Sequence, residues 1–347
     1  MVNLIPMAGA GGRFVRAGYA LPKPLIRVSG LPMAVQAARA LPAADRWVFV
    51  VLAEHVREHG LDRVLEQHFP GCRVLSLDQM TQGQACTCLL AEPLVAPDES
   101  LCIGACDNGM LWNAAGLERL WNTPQVDAIL FTFRRNPTVA RNPTAYGWVR
   151  VDAEGRALGV SCKVPLSDSP MEDHAIVGTF WFRRAALFFD AVRTQMAENR
   201  RVNGEFYIDV TMDVLIRQGA DVRVFEIDHY IGWGTPEDLR TYEYWESCFR
   251  RLWGLDRNAS AGVCGDYPMD QGPPVEARKW DGPACAESDP VTETETETVT
   301  ESETVTGFTW SRWSSRTPDS GPRTPDSGPD DPFSGDYPMN QGSPLEA

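Results

Sequence analysis

The stretch PMAGAGGRFVRAGYALPKPLIR, residues 6–27, constrains this chain more than any other. Val2 to Met7 reads as a short apolar strand, and Gly9, Gly11 and Gly12 follow it at once. Glycines there permit a tight turn whose backbone N–H groups can approach an anion without interference from a Cβ. Arg13 and Lys23 add positive charge to the same segment. Two familiar phosphate-binding templates are not met. Phe14 stands where a dinucleotide fingerprint needs its third glycine, and no Gly-Lys-Ser/Thr follows for a Walker loop. An ordinary strand-to-helix turn with a surface lysine explains the glycines alone, but leaves PKPL after RF at this spacing unexplained.

Apolar runs and helical patterns then alternate in the order expected of a mostly parallel sheet. WVFVVLAEH from Trp47, CRVLSL from Cys72, SLCIGACD from Ser100 and DAILFTFR from Asp127 are predicted strands, like VNLIPM at the start. MAVQAARAL and VREHGLDRVLEQHF between them have helical spacing. In such sheets ligands gather at the carboxyl ends of the strands, where the loops diverge. Both the glycine turn and Asp107, which closes LCIGACD, are expected at such ends. Asp107 is a hard oxygen ligand suited to Mg²⁺, which takes one or two carboxylates plus phosphate oxygens and water. A turn-forming role in Asp-Asn-Gly is the competing account of that aspartate.

The segment from Gly9 to Lys23 resembles the signature of the sugar-phosphate nucleotidyltransferases, the NDP-sugar pyrophosphorylase superfamily. The resemblance implies an α/β fold, a doubly wound, mostly parallel, Rossmann-like sheet, over residues 1–253. It implies that Ala8, Gly9, Gly11 and Gly12 wrap a nucleoside triphosphate, that Arg13 and Lys23 hold its phosphates, and that Asp107 binds Mg²⁺. TQGQACT at 81–87 resembles the segment that reads the nucleobase, with Gln84 offering donor and acceptor to a base edge. On the acceptor side the resemblance carries over Gly147 in AYGWVRVD, Lys163 in SCKVP and Glu205 in NGEFYIDV.

Two departures stand out. Cys162 replaces the glutamate that commonly holds sugar hydroxyls, and Gly232, two residues before GTP in YIGWGTPEDL, stands where a second metal carboxylate is usual. Asp228 is the candidate substitute for that second ligand. The implied activity is Mg²⁺-dependent transfer of a nucleoside monophosphate from a nucleoside triphosphate to a sugar phosphate. Transfer to another phosphorylated acceptor, and a decayed nucleotide-binding regulatory or scaffold protein, are the alternatives that the departures keep open.

Charge separates the chain into two parts. Of the net −15, residues 254–347 carry −12, leaving −3 for the first 253. A near-neutral body without a basic stripe argues against nucleic-acid binding. Residues 254–347 are also compositionally biased: TETETETVTESETVT at 292–306, RTPDSGP twice in succession from Arg316, and GDYPMDQGPPVEA from Gly265 recurring as GDYPMNQGSPLEA from Gly335. Such sequence buries little, so this acidic tail is expected to be largely disordered and to bind other proteins if it binds anything.

No stretch approaches 18 consecutive apolar residues, so no membrane span is expected. The nine cysteines lack framework spacing and are expected reduced, in a cytoplasmic protein. Cys86, Cys88, Cys102 and Cys106 match no common zinc spacing. A homo-oligomer is expected from the resemblance, without an interface that the residues reveal.

Overall fold

Strand propensity and helical periodicity decide most of the elements. The computed structural model describes residues 1–253, so the tail expected over 254–347 lies outside the described residues. In chain order the strands are β1 Val2–Met7, β2 Arg27–Val28, β3 Leu31–Pro32, β4 Arg46–Leu52, β5 Arg73–Leu77, β6 Leu101–Ile103, β7 Asn108–Leu111, β8 Ala128–Phe133, β9 Gly147–Val151, β10 Ala157–Cys162, β11 His174–Phe182, β12 Val222–Glu226 and β13 His229–Gly232. The α-helices are α1 Gly12–Arg16, α2 Met33–Arg39, α3 Ala53–His59, α4 Leu61–His68, α5 Gln84–Leu89, α6 Ala114–Trp121, α7 Pro137–Arg141, α8 Ala185–Ala197, α9 Ile208–Arg217 and α10 Pro236–Leu252.

Nine strands form the central sheet, in the order β5-β4-β1-β6-β11, continued by β8 and β12. β1, β4, β5 and β6 are parallel neighbours, as are β8 and β12. β11 runs against them, and its two halves have different neighbours on one side: His174 and Ala175 pair with β9, Phe180 to Phe182 with β6. Gly178, at φ +91°, sits at that change of partner. β9 and β10 close the sheet as an antiparallel pair. The expected doubly wound, mostly parallel sheet is therefore present, interrupted by β11 and β10.

Side-chain alternation explains why helices cover both faces. Val2 and Leu4 of β1 enter one core with residues of α5, α8 and α9, whereas Ile5 and Met7 enter a second core with residues of α2, α4 and α6. Buried phenylalanines dominate both, Phe180 and Phe188 in the first, Phe49 and Phe131 in the second. Each such ring contributes about 1.5–3 kcal/mol by leaving water.

Three sequence expectations need correction. WVFVVLAEH is strand only to Leu52, because Ala53–His59 turns into helix as the chain leaves the sheet. The single helix expected through VREHGLDRVLEQHF is two, broken at Gly60 with φ +63°. SLCIGACD is strand only to Ile103. Gly104 is packed against Leu41, with no room for a Cβ, and the next residues leave the sheet at the gap between β6 and β9. Asp107 thus sits in a loop beyond the strand rather than at its tip.

Candidate functional site

The gap along β11 opens a cleft of about 270 Å³ at the carboxyl ends of β1 and β6. Its walls include Ala8, Gly9 and Gly11, then Lys23, Gln84, Asp107 and Glu205. Five separate stretches of sequence supply these seven residues, all singled out in advance.

Each is held by local chemistry. Gly11 has φ +60°, and a Cβ there would lie 3.0 Å from the Lys23 Cβ, so the glycine lets the turn close on the lysine. Gly12 opens α1, whose Phe14 is buried and anchors the turn. Pro22 and Pro24 flank Lys23 in a one-turn 3₁₀ helix, fixing the backbone from which the lysine projects. The ammonium reaches Asp107 Oδ2 at 2.5 Å and lies 5.8 Å from the centre of the Phe14 ring. Arg13 is exposed on α1 outside the cleft walls, within electrostatic reach of both members of that pair.

Burial pushes the Lys23 ammonium down, but Asp107 beside it outweighs this and leaves its pKa raised. Burial likewise pushes the Asp107 carboxyl up, and Lys23, with help from Arg13 and Lys163, holds it below its ordinary value. Both shifts favour the charged pair. The contribution of Asp107 to stability is present above the ordinary carboxylate range and is lost as pH falls through its lower folded value. That of Lys23 is lost only as pH rises through its raised one.

The strand pair β7–β13 builds the floor behind Asp107. Gly232 pairs with Asn108, and the Trp233 N–H donates to the Asp107 carbonyl at 2.9 Å. Asn108 donates from its side chain to the Val177 carbonyl at 2.6 Å, tying this floor to β11. A Cβ on Gly234 would come within 3.2 Å of Asp107 Oδ2, so the glycine of GTP makes room for the carboxylate.

The same register disposes of Asp228. It precedes His229, which pairs with Leu111 at the far end of β7, so four residues of strand separate it from the Asp107 end. Asp228 is exposed and does not join the cleft. Among the described residues no three His, Cys, Asp or Glu side chains cluster as a metal site, so the four cysteines considered together do not form one either. A lone protein carboxylate such as Asp107 fits Mg²⁺ only where phosphate oxygens of a bound ligand and water would complete the shell.

On the opposite wall, Gln84 is the first residue of α5 and follows Gly83 at φ +130°. Gly83 lies against the backbone of Phe206, where a Cβ would sit 2.5 Å from both its N and O. Phe206 N–H donates to the Gln82 carbonyl at 2.8 Å, and Ala85 N–H to the Phe206 carbonyl at 3.0 Å. The Gln84 and Glu205 segments are thereby clamped together. Asn203 and Gly204, both at positive φ, form the tight turn that presents Glu205.

Gly147 and Lys163 stand beside the cleft, not in its wall. Gly147 pairs with Cys162 across β9 and β10, and its missing Cβ leaves the space taken by the Asp209 carboxyl. Lys163 adopts φ +65°, a strained conformation for a non-glycine residue. Its ammonium donates to the Ala145 carbonyl and lies 5.3 Å from the centre of the Tyr207 ring. Asp209 is a residue that sequence reasoning missed, although it ends the NGEFYID run. Burial raises its pKa, and the buried Cys162 thiol, itself pushed up, donates to it. Gly83 was the other omission; its place immediately before Gln84 was the available signal.

By fold the chain is an α/β protein whose cleft lies at the carboxyl ends of its central parallel strands. A nucleoside-diphosphate-sugar pyrophosphorylase of Vibrio cholerae RC9 superposes with a TM-score of 0.56 at 20% identity, over 70% of this chain and 99% of that one. The inositol-1-phosphate CTP transferase of T. maritima does so with the same score at 18% identity, over 70% and 93%. In sequence, the bifunctional protein GlmU of Pelotomaculum thermopropionicum is 26% identical over 254 residues, 72% of this chain and 53% of GlmU. The chain spans about half the length of that curated relative, and no family model matches it. The sequence likeness to GlmU and the fold likeness to the two solved structures agree with the resemblance to sugar-phosphate nucleotidyltransferases.

Proposed function

We propose that the protein transfers a nucleoside monophosphate from a nucleoside triphosphate to a sugar phosphate, releasing pyrophosphate. The observation that carries this reading is the Lys23–Asp107 pair, half-buried at the mouth of a glycine-lined cleft between β1 and β6. An acceptor phosphate oxygen, already anionic near neutral pH, attacks the α-phosphorus in line. A P–O bond forms there as the bond to the bridging oxygen of the β-phosphate breaks, and no general base is required.

The residues supply position and charge. The Gly9–Gly12 turn cradles the triphosphate. Lys23 exchanges its carboxylate partner for phosphate oxygens when the nucleotide enters, which releases Asp107 for a cation. Mg²⁺ held by Asp107 and the phosphates would neutralise charge on the transferring group. Arg13 meets the outer phosphates, Gln84 reads the base edge, and Lys163 and Glu205 receive the acceptor. A non-sugar phosphorylated acceptor is the second reading, favoured by one observation: Cys162, in place of glutamate, is turned into a buried pair with Asp209 and offers no carboxylate to sugar hydroxyls.

The test is a thermal shift of the full chain with each nucleoside triphosphate and Mg²⁺, followed by pyrophosphate release with a panel of sugar phosphates. One triphosphate should stabilise the wild type selectively. Lys23→Ala and Asp107→Asn should each lower turnover about 10²-fold or more while remaining folded. No stabilisation by any triphosphate, or near-wild-type turnover in both folded variants, would overturn the assignment.

A further inference from the structure

α10 begins at the cleft and ends in a different kind of surface. Thr235 caps it next to Gly234, Leu239 is buried, and Tyr242 packs edge-on against Trp233 at 5.6 Å, with its hydroxyl 2.6 Å from Ser29 Oγ. Beyond that point the helix turns apolar and outward. Tyr244, Trp245, Phe249, Leu252 and Trp253 are 63%, 53%, 45%, 76% and 73% exposed. Trp245, Phe249 and Trp253, spaced four apart, stack in file with ring centres 6.0 and 5.5 Å apart. Together the five leave on the order of 600 Å² of largely apolar side chain in water, at the upper end of what a monomer exposes.

The charges along this helix discriminate among ways of covering that stripe. Glu243 and Glu246 precede Arg250 and Arg251. Glu246 forms no ion pair with another described residue, and its charge, after burial, pushes the neighbouring Glu243 carboxyl up. If two copies of α10 lie side by side in the same direction, the two Glu246 side chains fall on opposite sides of the seam and neither faces Arg250 of the other copy. If they run in opposite directions about an axis near Ser247 and Cys248, Trp245 of each meets Phe249 of the other, and Glu246 of each meets Arg250. All of these lie on adjoining faces by the 3.6-residue period.

We propose that the stripe is a self-association surface, occupied by α10 of a second copy of the chain packed antiparallel across a two-fold axis near Cys248. The contact is isologous, so each favourable pair occurs twice. Covering both stripes buries on the order of 1,200 Å², above the ~1,000 Å² expected of a specific interface.

Sedimentation of the full chain tests this, with the monomer at 38.4 kDa. Across roughly 1–100 μM the wild type should reach twice the monomer mass. The double variant Trp245→Glu/Phe249→Glu should stay monomeric with an unchanged circular dichroism spectrum. Glu246→Arg alone and Arg250→Glu alone should each weaken association about tenfold, and mixing the two variants, a charge swap across the seam, should restore it as a heterodimer, a recovery that a pairing within one helix would not produce. A short bis-maleimide should trap the wild-type dimer and trap much less of Cys248→Ser. A monomeric wild type at the highest concentration would overturn the proposal, because something else then covers the stripe. A dimer indifferent to the aromatic substitutions, or a charge swap that fails to restore association, would overturn it equally.

Discussion

Glycines at this site act through the volume they leave empty. Gly11 admits Lys23, Gly234 admits Asp107, Gly147 admits Asp209, and Gly83 admits the Phe206 backbone. The last is the most demanding, since the obstructing atoms are main chain and cannot rotate away. Gly83→Ala should cost about 1–3 kcal/mol in urea unfolding and weaken nucleotide binding by displacing Gln84. Gly60→Ala is the control: its φ is also positive, at +63°, but no atom lies within 4 Å of its Cβ. It should cost only about 1–2 kcal/mol and leave nucleotide binding unchanged. Equal effects of both substitutions on binding would show that the Gly83–Phe206 contact does not position the base-reading wall.

Among elements, the helix caps separate stability from site geometry. Thr235 Oγ1 accepts from the Asp238 N–H at 3.1 Å, and Asn113 Oδ1 accepts from the Gly116 N–H at 2.7 Å, capping α10 and α6. Replacing either by alanine should cost about 1 kcal/mol in chemical denaturation. Only Thr235 follows Gly234, which lies against the Asp107 carboxylate. Thr235→Ala should therefore also reduce the thermal shift given by nucleotide, whereas Asn113→Ala should leave it intact.

For the molecule as a whole, histidine burial sets the pH response near neutrality. His55, His68 and His174 all have pKa values lowered by burial, and the His55 Nδ1 has no hydrogen-bond partner among the described residues. His174 shares a 2.9 Å hydrogen bond with Thr132 Oγ1 at the start of β11. A histidine lowered in the folded state binds fewer protons there than in the unfolded chain. Its contribution is present above about pH 6.5 and is lost as pH falls below it. Unfolding midpoints should therefore drop between about pH 7.5 and 5.5, a window in which ordinary carboxylates stay ionised. His174→Asn should flatten that slope; an unchanged slope would remove His174 from the account.

Local interactions made much of this protein readable in one dimension. The strand and turn at Val2–Gly12 follow from an apolar run meeting glycines, and Gln84 and Gly147 open the helix and the strand that the resemblance of their segments implied. That the Lys23 and Asp107 segments belonged to one site came from resemblance; their 2.5 Å contact did not, because 84 residues separate them. Non-local packing decided the rest. β6 stops at Ile103 because β11 changes partner at Gly178, and that gap is the cleft. Strand register, which no single segment encodes, put Gly232 opposite Asn108 and carried Asp228 to the far end of the same ladder. The Asp209–Cys162 pair depends on β10 and α9 meeting across 46 residues of intervening chain, so only the folded molecule could show what stands where a glutamate was expected.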